Sequence, residues 1–175
     1  NMYYVFEMGK KNDLMIPLAF KYLPYLGTDG MSPAEVQKEM FKLGLDFDVS
    51  SSLDRSYVIV SGLEENFEEG IMFFEKLMNS VVANKDSYNE MVQGLLKERA
   101  DKKLSKRQIL FGAMANYAKY GPENPTNTVL SEAELKDMDP KVLVEMLHTL
   151  TSYEHRILFY GPQSLADAKT IIEKN

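Results

Sequence analysis

The chain has no cysteine, and only two histidines, His148 and His155, among its 175 residues. Without cysteine there are no disulfides and no thiolate metal sites. A chain of this length does not need such staples, because about 70% of its unfolded surface can be buried by folding alone. The compartment stays open, since cytosolic and periplasmic proteins can equally lack cysteine. Nucleophilic catalysis is poorly supplied, with no G-x-S-x-G and few candidate bases. The two histidines lie seven apart, and Thr151-Ser152-Tyr153 with the strand expected after Arg156 ends the helix between them. His148 therefore reads as a helix-end residue favourable to the dipole and His155 as a turn residue, not as a zinc pair. No glycine-rich phosphate loop occurs, and the GTDG at residues 27–30 is a turn. Charge of one sign is not blocked either. The 20 basic and 26 acidic residues are mixed, with net charge −6, which argues against nucleic acid as a partner. The one basic run, Lys97 to Arg107, contains its own acids and reads as the solvated side of a helix pair. No apolar stretch approaches the ~20 residues of a membrane span, and the start lacks a secretory signal pattern. The chain opens on Asn1 without an initiator Met, which reads as a processed or excised segment.

What is present is ordinary for a soluble domain: 45% hydrophobic and 26% charged residues, with one domain as the default count. Met2 to Met8 is aromatic and β-branched and predicts an opening strand. A helix is expected over Asp13 to Leu26, with Met15, Leu18, Ala19, Tyr22 and Leu26 recurring at three and four and Pro24 loosening the last turn. Ser32 to Glu35 is a capping box with Pro33 at the first helical position, and Gly44 is placed to end that helix. Leu45, Phe47 and Val49 alternate with Asp46, Asp48 and Ser50 as in a half-buried strand. Tyr57 to Val60 pairs back as a hairpin. Asn66 and Glu69 read as a second capping box, opening a helix through Phe67, Ile71, Phe74, Met78 and Val81. Further helices are expected from Asp86 to about Lys103, from Ser105 to Tyr120, after Ser131 with Glu134, from Asp139-Pro140 to Leu150 and from Ser164 to Lys174. PENPTN at 122–127 is a loop, and Arg156 to Tyr160 is a final strand. Low strand content, with strands joined by a hairpin or by long helical excursions, predicts an α+β fold: a mainly antiparallel sheet covered by helices.

Isolated candidates for chemistry are few. Asp46 and Asp48 have the i, i+2 spacing of a strand's solvent face rather than of a metal pair. The 11 methionines fall mostly on apolar helical stripes, where they fill core. Glu98 shares a helical edge with Met91, Gly94 and Leu95, and it can equally form an exposed i, i+4 pair with Lys102.

Leu18 to Thr28, LAFKYLPYLGT, carries the sequence's most specific phrase. An apolar helical turn running into an aromatic, then Leu-Gly-Thr, resembles the active-site segment of the pitrilysin/insulinase metallopeptidases, the inverted zincins, whose helix bears H-x-x-E-H. Registering Gly27-Thr28 on the family's Gly-Thr puts Leu18 and Tyr22 at the two histidine positions and Lys21 at the glutamate. The order of the other features extends the resemblance over Met2 to Pro162: strand, G-x-x-N-D, helix, Leu-Gly-Thr, capped helix, the DFDVSSSLDRSYVIVSGL hairpin, Tyr-Gly at 120–121 and the closing ILFYGP.

The resemblance implies a mitochondrial-processing-peptidase-like domain over 1–162, with 163–175 a helix leading toward a following domain. It implies no catalytic residue and no metal in this chain, with zinc expected in the catalytic domain of the parent protein. Glu98, 76 positions after Tyr22, is the possible remnant of the third-ligand position. Such proteins close two similar halves around a peptide, so the implied role is that of the first domain of the non-catalytic C-terminal half. It would form part of the peptide-enclosing chamber and pack against the zinc-bearing half or a partner subunit. Extended peptide adding to a sheet edge is the expected mode of contact, with no residue assigned to it. A non-enzymatic assembly or peptide-binding protein on the same fold is the alternative.

Overall fold

The opening strand forms as expected: β1 (Met2–Phe6) is almost wholly buried in the computed structural model, which describes residues 1–174. Contacts divide the chain into two compact units, Asn1–Lys85 with the chain from Asp139 onward, and Asp86–Met138.

In the first unit β1 is followed by α1 (Met15–Tyr22), a 3-10 turn over Leu23–Tyr25, and the two-residue β2 (Gly27–Thr28). The expected helix over 13–26 is thus shorter at both ends. Asp13 stays outside and accepts the Met15 N–H at 2.7 Å, and the α-helix stops two residues ahead of Pro24. α2 (Pro33–Lys42) carries the expected capping box, and Gly44 takes the left-handed conformation at φ +62°. β3 (Asp46–Ser51) and β4 (Ser56–Ser61) make the hairpin, and α3 (Phe67–Ser80) runs into β5 (Val81–Val82). The capping box expected at Asn66 does not form. Glu64–Asn66 is a 3-10 turn, and the Asn66 side-chain amide donates to the Leu43 carbonyl at 2.9 Å.

The second unit opens along α4 (Lys85–Leu104), which buries Tyr88, Met91 and Val92. Ser105 caps α5 (Lys106–Gln108), the backbone widens into a π-helical stretch over Ile109–Met114, and α6 (Ala115–Tyr120) ends at Gly121 with φ +65°. α7 (Glu132–Asp137) has the expected Ser131–Glu134 capping box. The Tyr88 hydroxyl donates to the Leu135 carbonyl at 2.6 Å, and the Arg99 guanidinium donates to the Leu130 carbonyl at 2.7 Å, tying α4 to the returning chain. The chain then rejoins the first unit through α8 (Pro140–Ser152), β6 (Arg156–Phe159) and α9 (Leu165–Lys174).

The main sheet has four strands in the order β3-β4-β1-β6, all antiparallel. Its register aligns Phe47, Val60, Met2 and Phe159 in one row and Val49, Val58, Tyr4 and Ile157 in the next. Because partners across a ladder share a face, these rows form the apolar side. α1 and α3 cover it: Phe20 meets Phe6 at 5.5 Å, and Phe74 lies 5.6 Å from Tyr4 and 5.7 Å from Phe47. α8 packs in turn against α1 and α3. Among the described residues no helix is long and apolar enough to cross a membrane.

Candidate functional site

The segment Leu18 to Thr28, which carries the sequence resemblance, is held from both sides by close backbone packing. Ahead of it, the Lys10 and Lys11 N–H groups donate to the Ser52 and Leu53 carbonyls at 3.0 and 2.7 Å. Gly9 is pressed so tightly on this hairpin turn that a Cβ would stand 2.6 Å from the Ser52 oxygen. Behind it, Thr28 N–H donates to the Met31 carbonyl at 2.8 Å, and a Cβ on Gly27 would reach 2.4 Å from that same oxygen. The Gly in Leu-Gly-Thr is therefore required by the approach of the chain entering α2.

Between these anchors α1 is buried on more than one face: Ile16, Leu18, Ala19, Phe20 and Tyr22 are each at most 5% exposed. The periodic stripe picks out Leu18, Ala19 and Tyr22. It misses Ile16 and Phe20, since a helix packed against β3, β4 and α8 is covered nearly all round. Leu18 has no lone pair for a metal, and its burial stabilises the unit by about 1.5–3 kcal/mol. The Tyr22 hydroxyl is already committed, donating to the Asn84 carbonyl at 2.6 Å and accepting the Asn84 N–H at 3.0 Å. Burial pushes the Tyr22 phenol above its ordinary range, and the Asn84 backbone contact draws it only partly back. Lys21 is half-exposed at the edge of the helix. Zinc takes nitrogen, sulfur or oxygen ligands in a near-tetrahedral set, and Leu18, Lys21 and Tyr22 do not fit it.

Glu98 lies in the second unit, on α4. Its side chain is 43% exposed, and its carboxylate accepts from the Lys102 ammonium at 2.6 Å, the i, i+4 arrangement. Among the described residues no three His, Cys, Asp or Glu side chains are grouped to hold a metal ion. α8 ends at Ser152, between the two histidines. His155 stacks in the turn before β6, with its ring 5.3 Å from Phe6 and 6.0 Å from Tyr4. His148 stands on α8 at the rim of a cavity of about 620 Å³, bounded by Thr28, Met31, Phe73, Lys76 and Val81. Sequence periodicity does not reveal this cavity, because β2 and β5, which pair beside it, are two residues long each.

No protein-family model and no curated protein matches the sequence. Solved structures do match the fold. The chain aligns over 98% of its length with the ferredoxin protease FusC in complex with Arabidopsis ferredoxin, at 15% identity and a TM-score of 0.75, covering 19% of that chain. It aligns equally with a peptidase M16 inactive domain from Pseudomonas fluorescens, again at 15% identity, 98% coverage and a TM-score of 0.75, covering 43% of that chain. The periplasmic protease PqqL from Escherichia coli matches at 16% identity and a TM-score of 0.72, with 98% of this chain and 19% of that one covered. The chain thus spans less than half the length of each of these structures. It has the α+β fold of a peptidase M16 domain, as the pitrilysin/insulinase resemblance implies.

Proposed function

We propose that this chain is a non-catalytic domain of a zinc-dependent peptidase, forming part of the wall of a peptide-enclosing chamber and packing against a zinc-bearing half. The observation that carries this reading is the combination of a peptidase M16 fold, shared with an inactive domain of that kind, and a helix whose Leu18 and Tyr22 are buried as core. In this reading Leu18, Lys21 and Tyr22 stand where H-x-x-E-H would stand, and Glu98 keeps the third position without a metal to hold. Residues 1–162 are the homologous domain, and the helix beyond them leads toward its neighbour.

The test has two arms. Elemental analysis of the purified chain should find no stoichiometric zinc and no hydrolysis of unstructured peptides; one zinc per chain with chelator-sensitive hydrolysis would overturn the reading. Mixing with the protein or segment encoded beside it that bears an intact H-x-x-E-H should give a complex with peptidase activity. If no such segment exists, the non-enzymatic assembly role on the same fold replaces it.

A further inference from the structure

The helical stretch from Lys106 to Tyr120 buries none of its residues, yet it carries a run of large, exposed apolar side chains. Phe111 is 74% exposed and Tyr117 62%, while Leu110 and Met114 are each more than half exposed, and Leu104 precedes them at 80%. Apolar side chains scattered singly on a surface need no explanation, but a contiguous set of this size does. Leu110, Met114 and Tyr117 follow one another at about one turn, and Arg107 precedes them at the same step, while Lys103 lies just across the break at Ser105. One flank of the helix therefore passes from a cation to large apolar groups. The π-helical stretch Ile109–Met114 falls in the middle of it, a backbone departure that recurs at functional sites.

Charge gives this surface its direction. From Lys102 to Pro122 there are five cations and no acid, in a chain of net charge −6. Lys102 is paired with Glu98; among the described residues no carboxylate pairs with Lys103, Lys106, Arg107 or Lys119. We propose that this face binds an acidic peptide segment bearing large apolar side chains. Lys103, Lys106 and Arg107 meet its carboxylates, while Leu110, Phe111, Met114 and Tyr117 cover its apolar groups. The inference rests on the peptide-enclosing role above and adds the class of peptide. An anionic membrane would also meet cations and aromatics. A peptide is favoured because attraction is confined within a Debye length of about 8 Å, where a short segment meets the cations alone and a wide anionic surface also meets Glu98 and Asp101, which adjoin them on α4.

Fluorescence anisotropy on the full chain tests it, using labelled twelve-residue peptides that alternate Glu or Asp with Leu and Phe, and charge-reversed counterparts with Lys. The acidic peptide is expected to bind about tenfold more tightly than its reversed counterpart, and more weakly as salt is raised. Lys106→Glu with Arg107→Glu should reverse that preference, and Phe111→Ser with Met114→Ser should abolish binding of both peptides. All four positions are exposed, so melting curves should not move. Equal binding of the two peptides, indifference to these variants, or capture of phosphatidylglycerol vesicles in place of the peptide would overturn the proposal. Association of the unmodified chain with the zinc-bearing half separates the two claims. For the unmodified chain, no association with peptide binding intact sinks the chamber reading alone; an intact complex that binds no acidic peptide sinks this one alone.

Discussion

At Tyr22 one hydroxyl serves both backbone groups of a residue 62 positions away, Asn84. Removing it takes that partner from both groups of an exposed residue, so Tyr22→Phe should cost about 0.5–1.5 kcal/mol by urea denaturation; a neutral result would mean that water replaces the hydroxyl at no cost. That Leu18 and Tyr22 lie inward could be read from their spacing, whereas the Asn84 bond could not, because nothing local in the sequence pairs them. Alkaline pH probes the same group. Burial raises the Tyr22 phenol, and it raises Tyr4 further, where the hydrogen bond and charge of Glu75 add to desolvation. The folded state then holds these protons more tightly than the unfolded state. The stability from both groups is fully present below the unfolded pKa of about 10 and is lost as pH rises beyond it. A Tyr4→Phe, Tyr22→Phe double variant should show a shallower alkaline fall in its urea midpoint than the parent; an identical fall would contradict the assignment.

Among the elements, helix starts divide into those whose signal is local and those whose partner is distant. Ser32–Glu35 and Ser131–Glu134 close their capping boxes as written, because both partners sit within one turn. Asn66–Glu69 has the same spelling, but the Asn66 amide is drawn to Leu43, and a 3-10 turn precedes α3. Asn66→Asp separates the two roles. Aspartate caps helices as well as asparagine, but it cannot donate to the Leu43 carbonyl, so the variant should lose about 1 kcal/mol in thermal or urea melts. A gain in stability would restore the capping assignment. Short β2 and β5 and the π-helical stretch left no readable period, being too brief or too irregular for a pattern of two or of 3.6. The four main strands were readable because each alternates or is β-branched along one face of a single layer.

For the molecule as a whole, the first unit is closed by chain ends: β1 lies in the sheet between β4, from the hairpin, and β6, from beyond residue 155. Hydrogen exchange should be slowest in β1 and β4, which are paired on both sides, and faster in the edge strands β3 and β6. Deleting residues 153–175 removes β6 and exposes the backbone groups of β1, so it should lower the melting temperature and raise light scattering through edge pairing. A soluble variant melting as the parent does would show β6 to be dispensable. The fold class was accessible from the order of elements, while the division at Lys85 and Asp139 was not, because no composition shift or linker marks it.

The Tyr22–Asn84 tether also bears on how such a helix can change. Any stepwise route that introduces metal ligands here loses stability first: Leu18→His places an imidazole in an apolar core, and Tyr22→His takes the phenol hydroxyl from Asn84, before two ligands exist to bind anything. Each step loses stability and gains no chemistry, so the segment is held in its present state by its packing, whatever selection acts on activity.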